Sequence, residues 1–287
     1  MKEQNYLDCL VGVFGHPAAE NPGVVIQHAA FQAMGLKLWR FLTIDVEPED
    51  LEDAIRGLKA FKMRGINCTL PHKINVLKYL DGMSESARLI GAVNVIVNDN
   101  GKLYGDNTDG KGFMESLTSA GIDVKGKVIT LLGSGGAARA IAVEAGLCGA
   151  KEIRIVNRPH GEERAMELVN LLREKIGIQA QYIPWTEPYR VTPDVDVLVN
   201  ATSVGLYPDV DAIPNVELDS IHPGLFVQDV IPNPLSTAFL KEAAKRGARC
   251  NDGGGMLINQ AAVNIEMWTG RKPDKEVMYR ALEEALS

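Results

Sequence analysis

The chain has 287 residues, an apolar fraction of 46% and a formal net charge of -7; one ordinary core seldom organises that length, so two domains of roughly 100 to 200 residues are expected. The negative balance and the absence of any lysine or arginine run exclude a general attraction to nucleic acid or to anionic membrane. No stretch approaches the ~20 apolar residues that span a bilayer, and the start, MKEQNYLDCLVGVFG, lacks a signal-peptide pattern, so a cytoplasmic protein is expected. Cys9, Cys68, Cys148 and Cys250 are scattered without metal-type spacing, which predicts no metal site and free, mostly buried thiols.

In chain order, residues 9–14 (CLVGVF) read as a short buried strand and residues 24–34 have helical spacing after Pro22 and Gly23. LWRFLTIDV is the next strand, and Pro48 opens EDLEDAIRGLKAF, whose Leu51, Ile55, Leu58 and Phe61 fall on one helical face. GINCTL is strand-like and INVLKYL helical, and AVNVIVND with KLYGDN alternates as a hairpin around Asn98-Asp99-Asn100-Gly101. This stretch makes a small mixed α/β unit.

From Asp109 onward strand and helix alternate. KGFMESLTSAG is a helix, KVITLLG an unbroken apolar strand, AARAIAVEAGLCG a helix, EIRIVN a strand and ERAMELVNLLREKIG a helix. DVDVLVNAT, GLFVQDV and GARCND are further strands, and MLINQAAVNIEMWTG and DKEVMYRALEEAL are two closing helices. Such alternation with apolar strands predicts a parallel, doubly wound sheet covered on both faces. The expected division is residues 1–108, completed by the helices of 256–287, and residues 109–255.

Between VITLL and AARAIAVEAG lies Gly133-Ser134-Gly135-Gly136-Ala137-Ala138. In that strand-to-helix setting Gly133 makes the sharp turn, Gly135 lets a pyrophosphate approach the helix N-terminus and Ala138 takes the close-packing position, as in a Rossmann-like dinucleotide site. The next strand ends in Asn157-Arg158-Pro159-His160-Gly161-Glu162. Arg158 suits adenine stacking or a phosphate, whereas Pro159 removes a donor and Glu162 or Glu163 repels an anion, so the residues conflict and lean to NAD over NADP.

Asn67-Cys68-Thr69-Leu70-Pro71-His72-Lys73 and Gly105-Asp106-Asn107-Thr108-Asp109-Gly110 add a lysine and a carboxylate to the dinucleotide turn, which is equipment for moving a hydride and a proton on an alcohol. Here the sequence resembles the shikimate and quinate dehydrogenase family, which carries N-x-T-x-P-x-K, G-A-x-N and N-T-D-G-x-G segments in this order. They stand at residues 67–73, 91–94 and 107–112, followed by GSGGAARA, NATSVGL (200–206), a DV-x-x-NP element (229–234) and GGGMLINQAA with Gln260. The resemblance implies a two-domain enzyme, a mixed substrate domain and a Rossmann-like NAD(P) domain, that interconverts a ring hydroxyl and a ketone. It implies Lys73 as proton-exchanging group, Asp109 holding the same hydroxyl, and Asn67, Asn94, Thr69 and Gln260 around the substrate. It further implies Thr202, Val230 and Gly253 beside the dinucleotide, and monomers or homodimers as the assembly.

The match fails in one loop. The family pattern G-x-P-I-x-H-S-x-S-P holds a substrate carboxylate with two serines, where this chain reads Gly15-His16-Pro17-Ala18-Ala19-Glu20-Asn21-Pro22-Gly23-Val24. Asn21 keeps one amide donor, Gly23 none, and Glu20 adds negative charge. Hydrogen bonds to a charged group contribute roughly 1.5 to 3 kcal/mol each, so losing one or two weakens a carboxylate substrate about ten- to ten-thousand-fold. Pro232 also stands where the family has tyrosine before its N-P asparagine. Two substrate readings stay open: a cyclic polyol or hydroxy ketone without the acid group, or shikimate or quinate held by Asn21, His16 and backbone amides. A third class is a non-catalytic NAD(P)-binding regulatory protein on the same scaffold.

Overall fold

A computed structural model describes residues 6–19 and 21–286. They form two compact units, Met1–Thr108 with Gln260–Ser287, and Asp109–Asn259.

The first unit begins with β1 (Cys9–Gly15), α1 (Gly23–Ala33), β2 (Trp39–Asp45), α2 (Leu51–Ala60), β3 (Gly65–Cys68) and α3 (His72–Asn75). It continues with β4 (Gly82–Met83), α4 (Glu85–Ile90), β5 (Val95–Asp99) and β6 (Lys102–Asp106). The strands make one mixed sheet in the order β2-β1-β3-β5-β6-β4. β1 pairs in parallel with β2 and β3, while β5 runs antiparallel to β3 and β6. Asn100 and Gly101 join β5 to β6 with φ of 52° and 92°, the double left-handed conformation that a two-residue hairpin turn needs.

The core of this sheet takes Phe14, Ile66, Ile96 and Leu103 from the strands and Leu51, Ile55 and Leu58 from α2. Phe61, expected on the same helical face, is 71% exposed, because α2 stops at Ala60 and Phe61 is its C-cap. Packing fixes Gly12 as well: a Cβ there would lie 2.3 Å from the Leu42 carbonyl oxygen.

The second unit comprises α5 (Asp109–Ser119), β7 (Val128–Leu132), α6 (Gly136–Leu147), β8 (Glu152–Asn157), α7 (Glu162–Leu171) and β9 (Gln179–Pro184). Then come β10 (Val197–Asn200), β11 (Phe226–Asp229), α8 (Ala238–Lys245), β12 (Arg249–Asn251) and the start of α9 (Gly253–Thr269). All strand pairs are parallel, in the order β12-β11-β10-β7-β8-β9. Ile129 and Leu131 of β7 pack on one face with Phe113 and Ile141, and Val128 and Leu132 on the other with Leu198 and Phe239. An apolar strand without alternation is the sequence of such a two-faced core. The strand order reverses between β7 and β10, the point at which open α/β sheets bind ligands beyond their strand ends.

The last ten residues of α9 and all of α10 (Lys275–Leu286) return the chain to the first unit. There Trp268 donates its Nε1 hydrogen to the Ile96 carbonyl at 3.0 Å, and Gly65 leaves the room, since a Cβ would sit 2.2 Å from that nitrogen. α10 packs against α1.

The four thiols are free, but the expectation of mostly buried ones is corrected. Cys68 is buried and Cys9 half-buried, whereas Cys148 and Cys250 are exposed, one capping the end of α6 and the other in the short edge strand β12. Among the described residues no helix is long and apolar enough to cross a membrane.

Candidate active site

In the first unit the expected substrate residues gather where β1 and β3 end. Asn67 lies in β3 between Val13 of β1 and Val95 of β5, and its Nδ2 donates to the Asn94 carbonyl at 3.2 Å. Thr69 follows, with its N–H on the Phe14 carbonyl at 2.9 Å and its methyl against Gly15, where a Cβ would approach within 2.4 Å. Lys73 is the second residue of α3 and half-buried, and its carbonyl accepts from Val93 N–H at 2.8 Å. Burial pushes the Cys68 thiol up to about 12, the nearby Lys73 charge acting the other way, so this cysteine stays protonated beside the lysine.

Asn94 is buried and its amide is committed. Nδ2 donates to Thr108 Oγ1 at 3.0 Å and to Gln260 Oε1 at 2.9 Å, while Oδ1 accepts from Thr108 N–H at 2.8 Å. The Thr108 hydroxyl in turn reaches Asn264 Oδ1 at 2.7 Å. Gln260 is therefore aimed by Asn94, and its own amide nitrogen has no protein partner among the described residues, nor has the Thr69 hydroxyl or Asn67 Oδ1. These open groups are neutral donors and acceptors of the kind that hold hydroxyls.

The first loop is closed on itself. Asn21 Oδ1 accepts from Gly23 N–H at 2.8 Å, closing a turn just before α1. His16 Nδ1 meets Asp45 Oδ1 at 2.7 Å, its Nε2 meets Glu47 Oε2 at 3.2 Å, and Asp45 Oδ2 accepts from Ala18 N–H at 3.3 Å. The hydrogen bond to Asp45, with Glu47 beside it, holds the imidazole above its ordinary value, and the same bond holds the Asp45 carboxyl below its own. Asp45 and Glu47 escaped sequence reasoning because β2 and its exit carry no motif; only the fold folds them over His16. Glu20 lies outside the described residues.

In the second unit the turn after β7 has the shape a dinucleotide requires. Gly133 adopts a φ of 101°, and a Cβ there would press on the Ala201 carbonyl at 3.1 Å. A Cβ on Gly135 or Gly136 would meet nothing within 4 Å, so the space in front of α6 is open to a ligand's close approach. No side chain caps α6, and the first-turn N–H groups, Gly136, Ala137 and Ala138 among them, have no intrahelical acceptor, which suits a pyrophosphate. Ser134 Oγ accepts from Asn157 Nδ2 at 2.7 Å, binding the glycine turn to the end of β8. Arg158 is exposed and has no ion-pair partner among the described residues. Glu162 and Glu163 occupy the first turn of α7, a position that favours acidic residues for the helix dipole whatever the ligand.

The remaining expected cofactor residues also make contacts within the fold. Thr202 Oγ1 donates to Asn200 Oδ1 at 2.6 Å and accepts from Val204 N–H at 3.1 Å. Val230 N–H donates to the Asn200 carbonyl at 3.1 Å, and Gly253 has no room for a Cβ, which would fall 2.2 Å from the Ile231 oxygen. Asn200 also donates to the Asp229 carboxylate at 3.1 Å, and Thr237 Oγ1 to the same group at 2.9 Å. Burial pushes the Asp229 carboxyl up, while these donors pull it down. The NATSVGL and DV-x-x-NP segments thus share one buried polar network that fixes the loops after β10 and β11, a role that their spacing alone did not reveal. Asp109 is the first residue of α5 and largely buried.

Residues 13–96 match the family model of the shikimate dehydrogenase substrate binding domain, and residues 253–283 that of the shikimate 5'-dehydrogenase C-terminal domain. The shikimate dehydrogenase (NADP(+)) of Methanopyrus kandleri is 41% identical over 280 residues, covering 96% of each chain. Among solved structures, the ligand-free 5-ketofructose reductase of Gluconobacter sp. strain CHM43 superimposes with a TM-score of 0.94 at 44% identity, over 98% of this chain and 100% of that one. The shikimate 5-dehydrogenase of Listeria monocytogenes, in complex with shikimate and NAD, gives a TM-score of 0.90 at 32% identity over 100% and 99%. The relatives are named for NADP(+), and solved structures hold NADP+ or NAD, so the lean toward NAD drawn from Pro159 and the glutamates finds no support in them.

Proposed function

As a member of the shikimate dehydrogenase family, to which it belongs by sequence along almost its whole length, this chain is an NAD(P)-dependent oxidoreductase, and we propose that its substrate is a neutral polyhydroxy ketone or the corresponding alcohol. The first loop carries this reading. Where a carboxylate would need several donors, the Gly23 N–H is taken by Asn21 Oδ1, Gly23 has no side chain, and His16 is already engaged by Asp45 and Glu47, which leaves the Asn21 amide nitrogen. An incoming anion would meet carboxylates there rather than hydroxyl donors. Beside that loop, Asn67, Thr69 and Gln260 keep open polar groups suited to hydroxyls. The similarity to a ketofructose reductase, whose named substrate is an uncharged sugar, points the same way.

In this reading Lys73 exchanges the proton of the hydroxyl that becomes a carbonyl, and Asp109 binds that hydroxyl. Both assignments rest on the family motifs, and the retention of both residues argues against a non-catalytic regulator. Asn67, Thr69 and Gln260 hold neighbouring hydroxyls, with Asn94 setting the direction of Gln260. The nicotinamide, when bound, supplies or accepts the hydride. Gly133, Ser134, Gly135, Gly136, Ala137 and Ala138 seat its pyrophosphate, and Asn157 with Arg158 meets the adenosine end. We infer NADP as the preferred form, because Arg158 is uncommitted and the acidic neighbours serve the start of α7. The curated relatives are named for NADP(+).

Calorimetric titration of the NADP-loaded protein tests the substrate class. Heat of binding with 5-ketofructose or a related neutral sugar and none with shikimate is the expected result. Tight binding of shikimate alone would restore the carboxylate reading.

A further inference from the structure

His72 lies inside the lysine motif without any role in the reading above, yet its side chain is fully buried. Its ring Nε2 is 2.7 Å from the Val46 carbonyl oxygen, and because a carbonyl only accepts, that nitrogen carries the proton. The other ring nitrogen, Nδ1, is buried without a partner among the described residues. Nε2–H is therefore the donor this geometry uses, and Nδ1 faces no group among those residues that would accept from it.

Val46 is a shared anchor. Its N–H donates to the Gly15 carbonyl at 2.9 Å, and the preceding residue, Asp45, binds both the His16 ring and the Ala18 N–H. Its carbonyl receives His72. One short segment after β2 therefore grips the first loop with its N–H and its carboxylate, and the start of α3 with its carbonyl. The lysine is the next residue along, and its own carbonyl is held by Val93 N–H at 2.8 Å. A helix of four residues has little rigidity of its own, so these tethers, with the His72 N–H on the Thr69 carbonyl at 2.8 Å, hold the backbone that carries Lys73.

We propose that His72 is a positioning residue for Lys73, a tautomer-locked imidazole that ties the lysine's helix to the segment carrying the first loop; this rests on the proton-exchange role proposed for that lysine. A buried phenylalanine would fill the space without an orphaned nitrogen. The retained imidazole is explained by the need for a directional tether at a fixed distance from the loop. A displacement of ~1 Å at a reacting group costs about a hundredfold in rate, which sets the size of the effect.

Nitrogen-15 NMR of the histidine rings reads the tautomer directly: a proton on Nε2 and a bare Nδ1 are expected, and the reverse tautomer would overturn the proposal. In kinetics with whichever of 5-ketofructose and shikimate the wild type turns over, His72→Phe should lower kcat roughly ten- to hundredfold with KM within about threefold. His72→Gln, which offers an amide N–H at the distance of Nε2, should recover most of the loss. If His72→Phe merely melts earlier and keeps its kcat, or if His72→Gln is no better, the proposal falls. Lys73→Ala run alongside separates the two ideas: turnover retained there removes the lysine's role and this inference with it, while an inactive Lys73→Ala beside an unimpaired His72→Phe removes the inference alone.

Discussion

The loop from Gly15 to Gly23 and the turn from Gly133 to Gly136 are both junctions between a parallel strand and a helix, and they differ in what their polar groups are left to do. In the turn, α6 has no side-chain cap and the glycines leave open space in front of its N–H groups. In the loop, Asn21 Oδ1 already takes the Gly23 N–H at the head of α1, and the His16 ring is held by two carboxylates. The first junction is prepared for an anion, whereas the second has committed its Gly23 and Ala18 N–H groups and countered its imidazole, with the Asn21 amide nitrogen still open among the described residues. What a junction leaves unsatisfied is therefore a better guide to its ligand than the topology both share.

The sharpest way to break this contrast is at the lysine between the two kinds of chemistry. Lys73→Ala should reduce turnover about 10²- to 10⁴-fold while dinucleotide binding, followed by NADPH fluorescence, stays unchanged. Activity surviving at near wild-type level would mean that another group moves the proton.

A smaller but more specific effect is expected in the loop. A Cβ on Gly23 would lie 2.8 Å from Asn21 Oδ1, so the two positions must change together. Asn21→Ser with Gly23→Ser should raise kcat/KM for shikimate roughly ten- to hundredfold, the gain held below the sum of two charged hydrogen bonds by Asp45 and Glu47. No gain would place the exclusion of carboxylates elsewhere, Pro232 being the next position to alter.

In the turn's own unit, Arg158→Ala should lower kcat/KM with NADP about tenfold and leave NAD almost untouched, as loss of a charge-assisted contact to the extra phosphate predicts. Equal losses with both dinucleotides would assign Arg158 to the adenine instead.

The mildest effect concerns pH. The His16 value is raised in the folded chain, so its contribution to stability is complete below the ordinary histidine value and disappears as pH rises through the raised one; for Asp45, lowered, the contribution is lost as pH falls. The difference in melting temperature between wild type and His16→Ala should therefore shrink as pH rises past the ordinary histidine value. A constant difference would mean that His16 acts by packing alone.

Much of this was legible in the chain. The doubly wound second half announced itself through apolar strands such as VITLL, and the glycine turn through its place between strand and helix. The hairpin at Asn100 and Gly101 followed from turn chemistry. β9 was not anticipated, because an edge strand reading QAQYIP has too little apolar content to stand out. α4 and β4 were too short for periodicity. At the site, the expectations for Lys73, Asn67 and Gln260 came from the resemblance to the family's motifs, whereas Asp45 and Glu47 came to light only when β2 was seen to end beside β1. The pairing of the Asn94 amide with Thr108 and Gln260 joins positions up to 166 residues apart, which no local pattern displays.

The most direct test of the central claim is the ratio of kcat/KM for 5-ketofructose to that for shikimate, measured on the wild-type protein with NADPH and NADP respectively. A ratio well above one is predicted, since the loop has lost about one to two charged hydrogen bonds to a carboxylate and gained opposing charge. A ratio well below one would contradict the account and return the chain to the ordinary shikimate-using members of its family.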